Sequence, residues 1–214
     1  MFDQDIIPVE IWHEIFSHAC KDGVIFDDQY PQNLSPFTLG AVCSHWRRII
    51  LSSAEFWTRL IIYQSDYAKK YPLSGTKLCL ERSQQKLLSI HLIIGEKVHP
   101  GIMHSLIQNA NRWQKLDISI DFRPGYSGTS FSSEDCDLVR SLSTVRALPA
   151  LESFRYDYIG YLPADLSMFD HAPKLRSLEI NSDIHSPTTL TAKNLFTPKK
   201  GNIPIYGSFA CWHY

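Results

Sequence analysis

The sequence predicts an α + α/β protein, in which an N-terminal helical segment precedes a stack of parallel strands and helices. In residues 9–20 and 36–50, apolar residues recur three or four positions apart, which is the spacing of one helix face. From residue 57 onward a different pattern occurs five times: apolar, two residues, apolar, one residue, apolar. The end of each such unit alternates with a period of two, as a half-buried strand does.

The first helix is predicted over residues 9–20. Pro8 suits its first turn, where the missing N–H of proline costs nothing. Asp22 and Gly23 supply a stop signal after it. Its apolar stripe consists of Ile11, Trp12, Ile15, Phe16 and Ala19.

A polar loop is predicted over residues 21–38, because this stretch is hydrophilic and contains Pro31 and Pro36. Ser35 is the expected N-cap of a second helix that has Pro36 as its first residue and continues to about residue 50. One face of this helix would carry Leu39, Val42, Cys43, Trp46, Ile49 and Ile50. Two such helices cannot close a core alone, so part of their apolar surface must contact the remaining chain or another protein.

The five strand units begin at Trp57, Leu87, Trp113, Leu151 and Leu175, at intervals of 30, 26, 38 and 24 residues. Helices are predicted between them, over residues 76–85, 100–110, 133–146 and 164–171. The turn-rich residues 123–130 account for the longest interval. One unit cannot bury its own apolar face, so stacking must do so, with strands on one side and helices on the other. An ordinary α/β domain with a parallel sheet is the alternative.

Composition narrows the class of protein. The hydrophobic fraction of 44% indicates a globular chain, and a net charge of −1 gives no reason to expect nucleic acid as a partner. No apolar stretch reaches the ~18–20 residues of a membrane span. The five cysteines are scattered and never form C-x-x-C, which favours a reducing compartment, cytoplasmic or nuclear.

Catalytic signatures are missing from the sequence. It contains no glycine-rich phosphate loop, no G-x-S-x-G and no H-E-x-x-H. The cysteines and nine histidines lack the spacing of a tetrahedral zinc site. We therefore predict no catalytic, metal-binding or cofactor-binding residues, and a chain that is not an enzyme.

Three segments of the N-terminal region together resemble an F-box. Residues 7–11, Ile-Pro-Val-Glu-Ile, are similar to the Leu-Pro-x-Glu-Ile/Leu start of that family. Residues 42–47, Val-Cys-Ser-His-Trp-Arg, match its Val-Cys-x-x-Trp-Arg pattern, and residues 51–60 look like the tryptophan-containing exit of fungal, basidiomycete-type members. The resemblance covers about residues 6–62. The chain departs from the family pattern in having Ile7 where leucine is usual and a long loop between the helices.

The strand units resemble irregular leucine-rich repeats. Residues 172–180, Ala-Pro-Lys-Leu-Arg-Ser-Leu-Glu-Ile, are similar to the repeat units of F-box proteins that carry such repeats. We accordingly expect an F-box-like helical domain over residues 1–56, a leucine-rich-repeat-like region over 57–196 and an irregular tail over 197–214. The tail shows no capping unit, so we expect a truncated array.

These resemblances imply a substrate-recognition subunit of an SCF-type cullin–RING ubiquitin ligase. The F-box would bind a Skp-family adaptor protein, and through it a cullin, while the repeats bind an unidentified target protein; no cofactor and no membrane are implied. The alternative is a leucine-rich-repeat scaffold with no ligase role, whose first helices cap the stack. Candidates for target contacts on the strands are Asp117, Arg155, Arg176 and Glu179. The adaptor surface implied by the family consists of Ile7, Pro8, Ile11, Ile15, Leu39, Val42, Cys43 and Trp46.

Overall fold

The computed structural model describes residues 7–26, 35–64, 73–94, 99–120, 141–142, 144–158 and 167–182. Over these ranges the chain is a mixed α/β protein with five α-helices and one six-stranded parallel sheet. The helices are α1 (Val9–Ala19), α2 (Pro36–Val42), α3 (Ser44–Ser52), α4 (Leu73–Arg82) and α5 (Pro100–Ile107). The strands are β1 (Val24–Phe26), β2 (Arg59–Gln64), β3 (Leu88–Ile94), β4 (Trp113–Ile120), β5 (Ser153–Tyr158) and β6 (Ser177–Ser182). Short 3₁₀ helices occupy Ala54–Trp57, Ala110–Arg112 and Ser167–His171.

The predicted start of each of the first two helices is confirmed. Helix α1 begins directly after Pro8 and ends at Ala19, within one residue of the predicted end. Helix α2 begins at Pro36, and the Ser35 side chain accepts a hydrogen bond from the backbone N–H of Thr38 at 3.3 Å. Local capping chemistry was therefore a sufficient guide to where these helices start. Among the described residues, no helix is long and apolar enough to cross a membrane.

The prediction of one continuous helix from residue 36 to about residue 50 is wrong, because Cys43 interrupts it. The backbone of Cys43 is extended, with φ −156° and ψ 170°, and separates α2 from α3. Its Sγ accepts a hydrogen bond from the N–H of Trp46 at 3.4 Å, so Cys43 caps α3. The Arg47 Nε donates to the carbonyl of Gly40 at 2.8 Å and ties the two helices together.

A short strand also lies inside the stretch predicted as loop. Helix α1 is followed by Gly23, whose φ of +82° is in the left-handed region that favours glycine. A Cβ at this position would lie 2.5 Å from the carbonyl oxygen of Arg59, too close for any other residue. This turn leads into β1, where Val24 pairs with Leu60 of β2.

The sheet runs in chain order, β1 to β6, and every neighbouring pair is parallel. The five strand units of the sequence supply β2 to β6, which confirms that part of the prediction. The central apolar residue of each unit falls in one row across the sheet: Leu60, Ile90, Leu116, Phe154 and Leu178. The 38-residue interval does not disturb this register, since Leu116 still pairs with Phe154.

One face of the sheet is buried and the other retains solvent exposure. In β3 the residues alternate strictly between buried and half-buried. Helices α4 and α5 correspond to the predicted helices at 76–85 and 100–110, and their buried residues join the same core as the strands. Of the predicted helix 133–146 only 141–142 are described as helical, and 164–171 contains the 3₁₀ helix Ser167–His171. The turn-rich residues 123–130 and the tail 197–214 lie outside the described residues.

A single hydrophobic core links the helical segment to the sheet. Phe16 of α1, Phe56 and Trp57 belong to the same buried cluster as Leu60 of β2. Trp57 is only 1% exposed, donates from Nε1 to the carbonyl of Ile50 at 3.1 Å, and lies under the Arg82 guanidinium at 4.5 Å. Residue 56, where the sequence suggested a domain boundary, therefore lies inside continuous packing.

Arg112 is a buried charged residue beneath this sheet, with 5% exposure. Its guanidinium donates to the carbonyl of Leu80 at 3.1 Å, to Ser83 Oγ at 3.1 Å and to Asn109 Oδ1 at 2.9 Å. It also donates to the carbonyls of Gln84 and Lys86. All these acceptors are uncharged, and most lie in the turn that follows α4.

Candidate partner-binding surfaces

Helix α1 carries an apolar stripe on its outer side. Ile11 and Ile15 are four residues apart, so they lie one above the other on one face of α1, and Ile7 lies just before the helix begins. Ile7, Ile11 and Ile15 are 38%, 47% and 45% exposed, respectively. The neighbouring Pro8 and Val9 are exposed as well. We call Ile7, Ile11 and Ile15 the α1 stripe.

The opposite side of α1 is held by aromatic packing. The Trp12 ring lies 5.3 Å from the Trp46 ring of α3 and 5.6 Å from the Phe16 ring, between centroids. Phe16 in turn contacts Trp46 edge-on at 5.0 Å. Such tilted and edge-to-face pairs are favourable ring arrangements. They fix the face of α1 that turns inward, so the α1 stripe is left outward.

A polar contact fixes α1 to the exit of the helical segment. His13 Nε2 lies 2.6 Å from Glu55 Oε1 and 2.8 Å from Ser53 Oγ. The His13 ring also packs against Phe56, with centroids 4.8 Å apart. These contacts oppose rotation of α1 about its axis and so keep the α1 stripe on the surface.

The remaining residues of the implied adaptor surface occupy three different environments. Val42, at the C-terminal end of α2, is 60% exposed. Leu39 is 5% exposed and belongs to the hydrophobic core. Cys43 and Trp46 are half-buried, the first as the cap of α3 and the second against Trp12.

Three exposed apolar residues near these helices were not singled out from the sequence as partner contacts. Val9 is 53% exposed, Leu51 is 46% exposed and Phe37 is 37% exposed. Val9 does not follow the spacing of the stripe, and Leu51 begins the segment that resembles the family's exit. Only their exposure in the folded chain identifies them.

The second surface is the face of the sheet opposite the helices, which we call the open face. It is formed by the strand residues that alternate with the buried ones, and these are half-buried or exposed. Five of its ionisable side chains are each between 30% and 46% exposed. They are His91, Asp117, Arg155, Asp157 and Glu179.

The charged residues of the open face form contacts within β5 and across neighbouring strands. Arg155 Nε lies 2.9 Å from Asp157 Oδ2 and 4.0 Å from Glu179 Oε1. Burial acts to lower the pKa of Arg155, but the two carboxylates outweigh it and raise that pKa. His91 Nε2 lies 3.3 Å from Ser119 Oγ.

Asp117 is the least satisfied of these groups. Its nearest base is His91, with Nε2 4.0 Å from Asp117 Oδ1. That oxygen is shielded from solvent and has no hydrogen-bond partner among the described residues. Burial raises the pKa of Asp117, and the nearby His91 and Arg155 only partly offset this effect.

Of the four strand residues suggested for target contacts, three lie on the open face. Asp117, Arg155 and Glu179 pair in one row across β4, β5 and β6. Arg176 precedes β6 and is exposed, with its backbone N–H donating to the carbonyl of Glu152 at 2.8 Å.

Among the residues that the structure describes, no group of three His, Cys, Asp or Glu side chains could hold a metal ion. Cys20 and Cys79 are buried, and burial raises the pKa of their thiols to about 11 and about 12. Both thiols are therefore protonated near neutral pH and are poor nucleophiles.

The two surfaces differ in chemistry: one is apolar and helical, and the other is polar and built on strands. Comparison of the chain with protein-family models, with curated proteins and with solved structures found no match. What the chain binds must therefore be inferred from the residues of these two surfaces.

Proposed function

We propose that this chain is the substrate-recognition subunit of an SCF-type cullin–RING ubiquitin ligase. Its helical segment would act as an F-box that docks a Skp-family adaptor, and its strand units would act as leucine-rich repeats that bind a target protein. The observation that carries the proposal is the α1 stripe, in which Ile7, Ile11 and Ile15 are exposed although Trp12 and Phe16 of the same helix pack against Trp46.

Exposure of the α1 stripe is better explained by a partner than by the fold. A contiguous apolar surface left in water loses the free energy of burial, about 25 cal/mol per Å². Such surfaces on soluble proteins mark interaction sites. Ile7 and Ile11 of this stripe lie in residues 7–11, which resemble the first F-box motif, and Val42, 60% exposed, begins the second.

In this proposal the chain contributes no catalytic side chain. Ubiquitin transfer would take place on another subunit, and this chain would hold the target near it. Holding two reactants together raises their effective concentration without any new chemistry. The residues that matter are then those of the two surfaces, and the buried thiols of Cys20 and Cys79 have no part in it.

The alternative, a repeat scaffold without a ligase role, is favoured by one observation. The helices and the sheet share one core through Phe16, Phe56 and Trp57, as expected if the helices cap the stack. A cap, however, needs apolar residues only on its inner face and a polar outer face. The exposed Ile11 and Ile15 on the outer face of α1, and Ile7 just before it, are not explained by capping, so we favour docking.

The proposal is tested by measuring binding of a purified Skp-family adaptor to the full chain and to the variant Ile11→Asp/Ile15→Asp. Two carboxylates in the centre of an apolar interface remove its anchors, so we expect at least a 30-fold loss of affinity, about 2 kcal/mol. The matched control is Leu87→Asp, the same change at a 43% exposed site just before β3, which is expected to bind as the parent does.

Circular dichroism melting of both variants establishes that each is folded. Adaptor binding by the double variant within threefold of the parent would contradict the docking role of α1. A parent chain that is a soluble monomer and binds no Skp-family adaptor would instead support the scaffold alternative.

A further inference from the structure

The open face is divided into two parts of different chemistry. On β2 and β3 its outward residues include Ile61, Tyr63 and Ile93, all half-buried, and the exposed Arg59 stands at the start of β2. On β4 to β6 they include the charged residues Lys115, Asp117, Arg155, Asp157 and Glu179. His91 lies between the two parts, paired with Ile61 on one side and with Asp117 on the other. A ligand that follows the row from Ile61 through His91 to Asp117 should therefore be apolar at the Ile61 end and polar at the Asp117 end.

The charged part is not internally balanced. Arg155 is already engaged by Asp157 at 2.9 Å and lies 4.0 Å from Glu179. Lys115 is exposed and lies two residues before Asp117 on the same strand, at the beginning of β4. This leaves Asp117 with His91 as its nearest base, at 4.0 Å, and with a shielded oxygen that no described donor reaches.

The carboxylate of Asp117 therefore favours a ligand that supplies a hydrogen-bond donor. The shielded Oδ1 lacks a hydrogen bond, so the Asp117 carboxylate carries a desolvation cost. About 35% of this side chain is exposed, and a charged donor from a partner that contacts the exposed part would offset that cost. A partner carboxylate would instead meet three acids, Asp117, Asp157 and Glu179, within a few side-chain lengths. The cluster therefore favours a cationic group over an anionic one at Asp117.

We propose that the open face binds an extended segment of the target protein in which a lysine or arginine contacts Asp117 and a large apolar side chain packs on Ile61, Tyr63 and Ile93. This inference deepens the proposed function by giving the chemistry of the target segment. It rests on that function only in identifying the bound segment as part of a ligase target. Ile61 and Asp117 are two strands apart in the same row, about 10 Å at the usual strand spacing. An extended chain advances about 3.3 Å per residue, so the two positions should be about three residues apart.

The test is selection of a random twelve-residue peptide display library on the immobilised full chain. We expect enriched peptides to carry lysine or arginine two to four positions from a large apolar residue. The selection is repeated on Ile11→Asp/Ile15→Asp, so that peptides captured by the α1 stripe are recognised and set aside. Peptides without a basic excess, or no enrichment over the bare matrix, would overturn the proposal.

Affinity measurements with one enriched peptide make the test residue-specific. Asp117→Asn should weaken binding about tenfold, and Asp117→Lys should do so further and select acidic peptides when the library is applied again. The control is Asp170→Asn, which removes an exposed acid of the 3₁₀ helix Ser167–His171. Binding should also weaken as the pH falls, beginning above the usual range of aspartate, because burial raises the pKa of Asp117.

Equal affinity of the peptide for the parent and for Asp117→Asn would show that another surface binds it and would overturn the assignment. Failure here is distinguishable from failure of the docking proposal, because adaptor binding is measured through α1 and does not involve Asp117. A chain that binds the adaptor but not basic peptides keeps its proposed function and loses this inference. A chain with the reverse behaviour keeps the inference and loses the ligase role.

Discussion

Arg112 shows how one side chain can replace the missing partners of a helix end. The last carbonyls of an α-helix have no acceptor role within the helix, and they need donors from elsewhere. Here the guanidinium of Arg112 supplies donors to Leu80 of α4 and to the carbonyls of Gln84 and Lys86 in the following turn. The planar fork of arginine suits several acceptors at once, whereas lysine offers a single ammonium.

We therefore expect Arg112→Met to lower the free energy of unfolding by about 3 kcal/mol, because it removes the guanidinium donors from five buried or part-buried acceptors. Arg112→Lys should recover only part of this loss. Urea unfolding monitored by circular dichroism measures both. The control, Arg146→Met, changes an exposed arginine and should stay within about 0.5 kcal/mol of the parent. Full recovery by lysine would show that charge alone, and not the fork geometry, matters at residue 112.

At the scale of elements, the junction between α2 and α3 rests on a weak cap. Cys43 accepts the hydrogen bond of the Trp46 N–H through sulfur, at 3.4 Å. Serine is a stronger N-cap than a thiol, because its oxygen is a better acceptor. The helix break itself is also secured by the Arg47 contact with Gly40, so the junction does not depend on the thiol alone.

Cys43→Ser is accordingly expected to maintain stability or raise it by up to about 1 kcal/mol, whereas Cys43→Ala should lower it by roughly the same amount. The free energies of unfolding of the two variants give the comparison. As a contrast, Cys79→Ser places the same hydroxyl at a fully buried site in α4 and should cost about 1 kcal/mol or more. If Cys43→Ser proved as harmful as Cys79→Ser, the capping role of residue 43 would be refuted.

How much the sequence predicted also depends on the element. The strands β2 to β6 were predictable because each unit carries its own alternation, and stacking then sets the register of Leu60, Ile90 and Leu116. Strand β1 could not be predicted, because three residues are too few to show an alternating pattern. Val24 becomes part of a strand only by pairing with Leu60, 36 positions later. The break at Cys43 was missed because the helical spacing of apolar residues continues through it.

The candidate surfaces divide in the same way. Ile11 and Ile15 of the α1 stripe follow from one helical period, and Ile7 was named from the family resemblance. Leu39 also has helical spacing, but its burial depends on how α2 packs against the rest of the chain, which no local pattern encodes. The exposure of Asp117, Arg155 and Glu179 can be predicted from the alternation along each strand. The contacts between these residues cannot be predicted in this way, because they depend on which strands become neighbours.

For the whole molecule, the shared core has a consequence for unfolding. Trp57 lies where the helical segment meets the sheet, contacts Phe37 at 5.1 Å between ring centroids, and is covered by Arg82. Because the core is continuous across this residue, the helices and the sheet should lose structure together.

We expect one cooperative transition in urea, with the same midpoint by tryptophan fluorescence and by far-UV circular dichroism. Trp57→Ala should lower the free energy of unfolding by about 3–5 kcal/mol and shift both midpoints equally. Leu87→Ala, at an exposed site, serves as the control and should shift them little. Two separate transitions in the parent, or a shift in only one probe, would show that the helical segment and the sheet are independent units.

The sheet has one further property that follows from its strand order. Since each strand pairs only with the strands before and after it in the chain, a connection between two strands can change in length without altering any pairing. The chain already contains an example: its 38-residue unit is 14 residues longer than its 24-residue unit (38 − 24), yet both place their strands in the same rows. For protein engineering, the connections are therefore natural insertion points. A fluorescent domain or an affinity tag added there would leave the open face as it is.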